Sequence, residues 1–231
     1  MISFDSVNQA YGGTRILWDM NLDIAAGSVT CIMGRNGVGK TTLLKCLMGL
    51  LPIESGTISV DGVDITRQSA ESRPRNGVGY VPQGRDIFPL LTVEENLRVA
   101  LGSRRDRSRR IPERIFELFP VLAQMMGRRG GDLSGGQQQQ LAIGRALVLD
   151  PKVLILDEPN EGIQPNIVQQ IGDVILKLNR EEGLTVVLVE QKLHFARRVG
   201  QTFCLMEKGR AVAHGAMEEL TDELVNRHLA V

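Results

Sequence analysis

Gly34-Arg35-Asn36-Gly37-Val38-Gly39-Lys40-Thr41 has the spacing GxxxxGK[ST], with glycines that let a loop bend and a lysine and a hydroxyl at its end. Such a P-loop closes backbone N–H groups around phosphate oxygens, and a helix that follows turns its positive N-terminal end to the same anion. Lys40 then acts as a point charge on β and γ phosphates, the Thr41 hydroxyl holds Mg²⁺, and Thr42 continues the cradle. A second chemical element is Val153-Leu154-Ile155-Leu156-Asp157-Glu158, an apolar strand delivering two adjacent carboxylates at its C-terminal end. Ligands of open α/β sheets bind at that end. Successive strand residues point to opposite sides, so a strand that continues through both carboxylates gives them different work. Asp157 fits support of Mg²⁺, directly or through water, and Glu158 is left to polarise an attacking water. Between these elements lies Leu133-Ser134-Gly135-Gly136-Gln137. Ser134 and two glycines there precede a helical run over 137–149 and make another anion-binding helix start. One chain thus carries two phosphate-facing helix starts and one P-loop lysine.

The elements that must hold these residues are legible as alternating patterns. Short β-branched runs at Val29–Met33, Val78–Val81, 153–156 and Thr185–Val189 recur between helical patterns, which predicts an α/β domain on a largely parallel sheet. The first sixty residues differ: short runs at 2–7, 22–24 and 57–60, punctuated by glycine, predict an antiparallel β layer beside the main sheet. Helical periodicity over 93–101 and 111–126 without a clear strand predicts an inserted helical subdomain over 85–149, flanked by a nucleotide-binding core from 1–84 and 150–231. The 231 residues suit one domain at roughly 150 residues each. Between the inserted helices lies Arg104-Arg105-Asp106-Arg107-Ser108-Arg109-Arg110, read as a solvated loop or as a contact for anionic headgroups or a membrane partner.

Composition narrows the function classes. Lys plus Arg and Asp plus Glu are each 27, so net charge is zero and a dedicated basic nucleic-acid binder is excluded. The longest nearly apolar run, 47–51, is far below the about 18 residues of a spanning helix, and the opening residues lack a secretory pattern. Cys31, Cys46 and Cys204 have no CxxC spacing, and Cys31 and Cys204 sit in strand-like segments as small buried hydrophobes. A cytosolic protein is expected.

With the P-loop before it and the carboxylate strand after it, Leu133-Ser134-Gly135-Gly136-Gln137 resembles the LSGGQ signature of the nucleotide-binding subunits of ABC transporters, and the resemblance runs over essentially the whole chain. It implies a P-loop NTPase core with ATP and Mg²⁺ bound, and a head-to-tail dimer in which Ser134 to Gln137 of one subunit close over the ATP on the other's P-loop. Tyr11 resembles the aromatic that stacks on adenine, and Gln83 resembles the glutamine that senses Mg²⁺ and the γ-phosphate. Asn160-Glu161-Gly162-Ile163 matches the loop that crosses the dimer interface. The segment 83–89, with Phe88, matches the groove for a permease's coupling helix. One position departs: Gln191 follows Val189-Glu190 where most relatives place a switch histidine, and His194 is too far along to replace it. A glutamine amide still donates to a γ-phosphate oxygen but gains no proton.

The family likeness also implies partners. Two permease subunits are separate polypeptides, as in bacterial importers, with a periplasmic solute-binding protein, a like or unlike second ATPase subunit, and a place on the cytoplasmic face of the inner membrane. Val189-Glu190-Gln191, Val81-Pro82-Gln83-Gly84-Arg85 and Thr92-Val93-Glu94-Glu95-Asn96-Leu97 resemble the ATPases of urea and branched-chain amino acid uptake. Gly34 to Lys40 and Glu158 to Pro165 resemble the smaller urea-type subunit, so urea is the expected cargo and branched-chain amino acids or short amides are the alternative. A lipopolysaccharide-export ATPase is disfavoured by Gln191. A chromosome-maintenance ATPase needs a long coiled coil that 231 residues do not contain, a translation-associated protein needs two cassettes, and a non-hydrolysing regulator is opposed by Glu158.

Overall fold

In a computed structural model, residues 2–104 and 106–229 are described. The strands are β1 (Ile2–Tyr11), β2 (Thr14–Ile24), β3 (Val29–Met33), β4 (Ser55–Val60), β5 (Val63–Asp64), β6 (Val78–Val81), β7 (Val153–Asp157), β8 (Thr185–Val189), β9 (Thr202–Glu207) and β10 (Arg210–Ala216). The α-helices are α1 (Lys40–Leu47), α2 (Val93–Leu101), α3 (Arg114–Leu118), α4 (Pro120–Gln124), α5 (Gly135–Val148), α6 (Pro165–Glu182), α7 (Leu193–Val199) and α8 (Asp222–His228).

Six strands form one sheet in the order β10-β9-β3-β8-β7-β6, parallel except for β10. Every residue of β3, β7 and β8 is buried, because both faces of the sheet are covered, and so their sequences are mostly apolar with no alternation, Thr30, Asp157 and Thr185 being the exceptions. Register places Val189 beside both Ile32 and Asp157. The C-terminal ends of β3, β8 and β7 therefore lie side by side, and the P-loop, Gln191 and Glu158 all leave the sheet at one edge. Below it, α1 and the four-stranded sheet β2-β1-β4-β5 share a core that includes Leu43, Leu47, Ile155 and Val187. On the other face, α5 and α6 pack Leu141, Ile143, Ile171 and Ile175 against Leu154 and Leu188. Cys31 and Cys204 are buried on opposite sides of the sheet, and burial pushes the Cys204 thiol up to about 12.

The antiparallel strands are longer than the sequence predicts. Register shifts between Phe4 and Val7, Val7 and Gln9, and Gln9 and Ala10 break the period of two, which hides β1 beyond its first residues. The predicted helix over 111–126 is two short helices, since Pro120 lacks the N–H that a continuous helix needs and instead starts α4. Helix α2 matches its predicted span, fixed by a reciprocal capping box between Thr92 and Glu95. Beyond residue 165 pattern reading gives bounds only for Thr185–Val189 and a strand-like setting for Cys204, which lies in β9; α6, α8 and β10 and the bounds of α7 and β9 are added by the structure. Arg105 lies outside the described residues. Its neighbour Arg104 is not part of an open patch, for its guanidinium binds Asp106 and the Val148 carbonyl oxygen at the end of α5, while Arg107, Arg109 and Arg110 are exposed.

Candidate functional site

The P-loop starts where β3 stops. At Gly34 a Cβ would stand 2.4 Å from the Met206 carbonyl oxygen, so β9 excludes any side chain there. Gly39, at φ 106°, caps α1 without a side-chain bond, and the helix has no acidic residue in its first turn. Its leading N–H groups are therefore left for an anion, which is the arrangement a phosphate site requires. Lys40 is 5 % exposed, and its Nζ donates to the Gly34 and Arg35 carbonyl oxygens at 2.8 and 2.9 Å. Burial lowers its pKa, with the Glu158 and Asp157 carboxylates pulling the other way. Val38 packs against the core below the loop.

Asp157 ends β7 at 1 % exposure, and neither of its carboxylate oxygens has a hydrogen-bond partner. Burial pushes its pKa up to about 6, against the pull of the nearby Thr41 hydroxyl. Two buried acceptor oxygens beside a hydroxyl fit a hard cation such as Mg²⁺. Among the described residues no cluster of three or more His, Cys, Asp or Glu could hold a metal, so this donor set needs phosphate oxygens or water to complete it. The expected continuation of the strand does not occur. Glu158 turns into the left-handed region at φ 48°, its N–H donating to the Val189 carbonyl oxygen at 2.9 Å. The two carboxylates still diverge, by a turn rather than by strand alternation.

Gln191 joins the parts. Its Nε2 donates to Glu158 Oε1 at 2.5 Å and to Asn36 Oδ1 at 2.7 Å, bridging the carboxylate strand to the P-loop. A cleft of about 800 Å³ is lined by Gly37, Gly39, Lys40, Thr41, Thr42 and Asn36 on one side and by Gln83, Glu158 and Gln191 on the other. A neighbouring cleft of about 440 Å³ shares Thr41, Gln83 and Glu161 with it and adds Asp157, so the three residues predicted to serve the metal face one space. Gln83 Nε2 donates to Glu161 Oε2 at 3.0 Å. Tyr11 does not line the cleft: it stands 45 % exposed at the end of β1, and Ile16 forms the wall.

Ser134 caps α5, its Oγ accepting the Gln137 N–H while Gln137 Oε1 accepts the Ser134 N–H. Gly136 lies so close to α6 that a Cβ would meet Ile167 Cγ1 at 3.0 Å. Ser134, Gly135, Gly136 and Gln137 line a different cleft, of about 900 Å³, with Gly162 and Ile163, and none of them reaches the P-loop cleft of the same chain. Arg85, quoted in the sequence only as part of a likeness, bridges the regions: it donates to Gln138 Oε1 and to the Glu161 carbonyl oxygen, each at 3.1 Å. The segment before α2 is held by the buried Asn96, which bonds both the N–H and the carbonyl oxygen of Phe88, leaving the Phe88 ring partly exposed under Arg145. Sequence reasoning missed Arg85 and the buried Glu190; a carboxylate closing an all-apolar strand is a signal that could have flagged the second.

Comparison with known proteins identifies the family. The sequence matches the family described as ABC transporter over residues 17–161. It is 41 % identical over 217 residues to the high-affinity branched-chain amino acid transport ATP-binding protein BraG of Pseudomonas aeruginosa, covering 93 % of this chain and 92 % of that one. It is 38 % identical over 225 residues to the probable branched-chain amino acid transport ATP-binding protein LivF of Archaeoglobus fulgidus, covering 96 % and 94 %. The fold superimposes with a TM-score of 0.85 and 27 % identity on the ATP-binding cassette MJ0796, a dimeric post-hydrolysis structure bound to ADP and Pi, covering 94 % of this chain and 99 % of that one. By this match and these likenesses the chain belongs to the ABC transporters, as one of their ATP-binding, ATP-hydrolysing subunits.

Proposed function

We propose that this subunit hydrolyses ATP at the cleft between the P-loop and Glu158 to drive import of branched-chain amino acids. The observation that carries the catalytic reading is the bridge from Asn36 through Gln191 to Glu158, which sets a carboxylate against the phosphate cradle. Lys40 exchanges its two carbonyl partners for β and γ phosphate oxygens, and the leading N–H groups of α1 complete the cradle. Thr41, Asp157 and Gln83 hold Mg²⁺, whose charge offsets that of the phosphates. Glu158 orients the water and takes its proton, while Gln191 fixes the carboxylate and follows the γ-phosphate. Ser134 to Gln137 act on the nucleotide of a second subunit, alike or unlike, because their cleft is separate from the P-loop cleft of their own chain. The dimer of MJ0796 supports that arrangement. The helices inserted over 85–149 form the part that moves, and residues 83–89 receive the permease.

Among the described residues no helix is long and apolar enough to cross a membrane. By likeness to importer ATPases such as BraG, the reading includes two separate permease subunits, a peripheral place on the cytoplasmic face of the inner membrane, and a periplasmic binding protein that selects the solute, with no role for nucleic acid. BraG and LivF support branched-chain amino acids over urea, the cargo that the sequence motifs put first. Uptake of labelled leucine and of labelled urea by cells with and without this gene tests the cargo: leucine uptake is expected to fall, and loss of urea uptake alone overturns the assignment. For the switch position, Gln191→Ala is expected to lower hydrolysis about tenfold with ATP binding retained, since Glu158 loses its orienting donor. Phosphate release measured beside equilibrium ATP binding checks it, and an unchanged rate removes that role.

A further inference from the structure

Glu190 is a carboxylate at 3 % exposure that has no part in the chemistry proposed above. It follows the last residue of β8 and precedes Gln191. Its Oε1 accepts the backbone N–H of Gln191 and of Lys192, each at 2.8 Å, and its Oε2 accepts Asn160 Nδ2 at 2.6 Å. Its own N–H donates to the Ile32 carbonyl oxygen at 3.2 Å, at the end of the strand that leads into the P-loop. Lys192 Nζ returns to the Asn160 carbonyl oxygen at 3.0 Å. A buried charge persists only where such donors surround it, so this arrangement is specified by all its members together.

The contacts act on Gln191 from behind. The amide of Gln191 meets Glu158 and Asn36 in front, at the far end of a flexible side chain whose freedom must be frozen for it to orient anything. Glu190 fixes the main chain from which that side chain starts, and Asn160 fixes Glu190. Asn160 lies two residues after Glu158, so the same pair also sets the loop that leaves the carboxylate strand. We propose that Glu190, held by Asn160, is a positioning residue for hydrolysis: it anchors the main chain of Gln191 so that the amide meets Glu158 in the orientation that activates water. The inference rests on the roles proposed for Glu158 and Gln191.

The test compares kcat, KM for ATP and equilibrium ATP binding of the full chain and its variants. Glu190→Ala is expected to lower kcat about 10- to 100-fold with KM near the wild-type value, the size of effect that small misplacement of a reacting group produces. Asn160→Asp sets a second carboxylate against Glu190 in place of a donor and is expected to lower kcat about tenfold. Combining Asn160→Asp with Glu190→Gln reverses the pair. The new amide still accepts both N–H groups and donates to the new carboxylate, so kcat is expected to return to within about threefold of wild type. A merely structural site would lose folding and ATP binding in step with kcat, whereas a positioning role moves kcat alone. Wild-type kcat in Asn160→Asp, or a reversed pair as slow as Asn160→Asp, overturns the inference; if Glu190→Ala does not fold, that pair decides. Glu158→Gln is assayed alongside. Its full activity would overturn the functional reading itself, whereas an inactive Glu158→Gln with no rescue by the reversed pair overturns only the positioning role.

Discussion

Glu158→Gln is expected to lower ATP hydrolysis by about 10²- to 10⁴-fold while ATP binding stays near its wild-type strength. The substitution keeps the shape of the side chain and leaves an oxygen that accepts the Gln191 Nε2–H, the contact that holds Glu158 at 2.5 Å. What it removes is basicity, so the attacking water keeps its proton. The cradle formed by Lys40, Thr41 and the start of α1 is untouched, and nucleotide accumulates without being turned over. Paired subunits are then expected to build up with ATP, since each signature helix start retains its phosphate partner. Phosphate release, equilibrium nucleotide binding and the molar mass of the ATP-bound species in solution check the three parts together. A rate within about tenfold of wild type assigns the base to another group.

Asp157→Asn is expected to separate function from stability in opposite directions. Burial holds the folded pKa of Asp157 near about 6, above the about 3.9 of an unfolded aspartate. The folded chain therefore binds this proton more tightly than the unfolded chain, and the wild type loses stability as pH rises between about 4 and about 6. Above that window the ionised carboxylate costs the nucleotide-free fold about 3 kcal/mol, at about 1.4 kcal/mol per pH unit between the two states. Asparagine carries no such charge, so the variant is expected to be more stable by up to about 3 kcal/mol at neutral pH, with the gain vanishing below about pH 4. Mg²⁺-dependent ATP binding and hydrolysis are expected to be lost with the same change, as a negative donor leaves the metal set. Denaturant titration across pH, beside Mg²⁺-dependent nucleotide binding, measures both. A variant less stable than wild type at neutral pH would mean that Asp157 holds the fold rather than straining it.

The parts of the site legible in the sequence are those written as spacing. Gly34 to Thr41 is one continuous stretch from the end of β3 into α1, and the apolar runs of β3, β7 and β8 match the observed strands almost residue for residue, because strands buried on both faces carry few polar residues. The contacts that assemble the site are different in kind. Gln83 meets Glu161, Arg85 meets Gln138, Asn160 meets Glu190 and Gln191 meets Asn36 across 30 to 155 residues of chain, and no periodicity connects such positions. They exist because register aligns three strand ends. Other features were within reach: Pro165 at the first turn of α6 and Gly183 in the left-handed cap at its end are ordinary start and stop signals. The broken helix at Pro120 was equally readable. Tyr11 stands exposed at the end of β1, and Ile16 is the neighbouring residue on the cleft wall.

The last main-chain bond joining β7 to β8 runs from the Glu158 N–H to the Val189 carbonyl oxygen. Behind it lies a fully buried ladder; ahead of it, residues 160–162 and 190–192 are tied chiefly by side chains. Native-state hydrogen exchange should therefore change abruptly at this boundary, with amides of β7 and β8 opening only with the whole fold and those of the catalytic loops opening in small, inexpensive fluctuations. The reacting carboxylate sits on the hinge between the two regimes, rigid in its backbone on one side and adjustable on the other. Loops can rearrange around a nucleotide without the sheet yielding, so a variant that silences the enzyme from these loops, such as Gln191→Ala, is expected to leave the protection of the central strands unaltered.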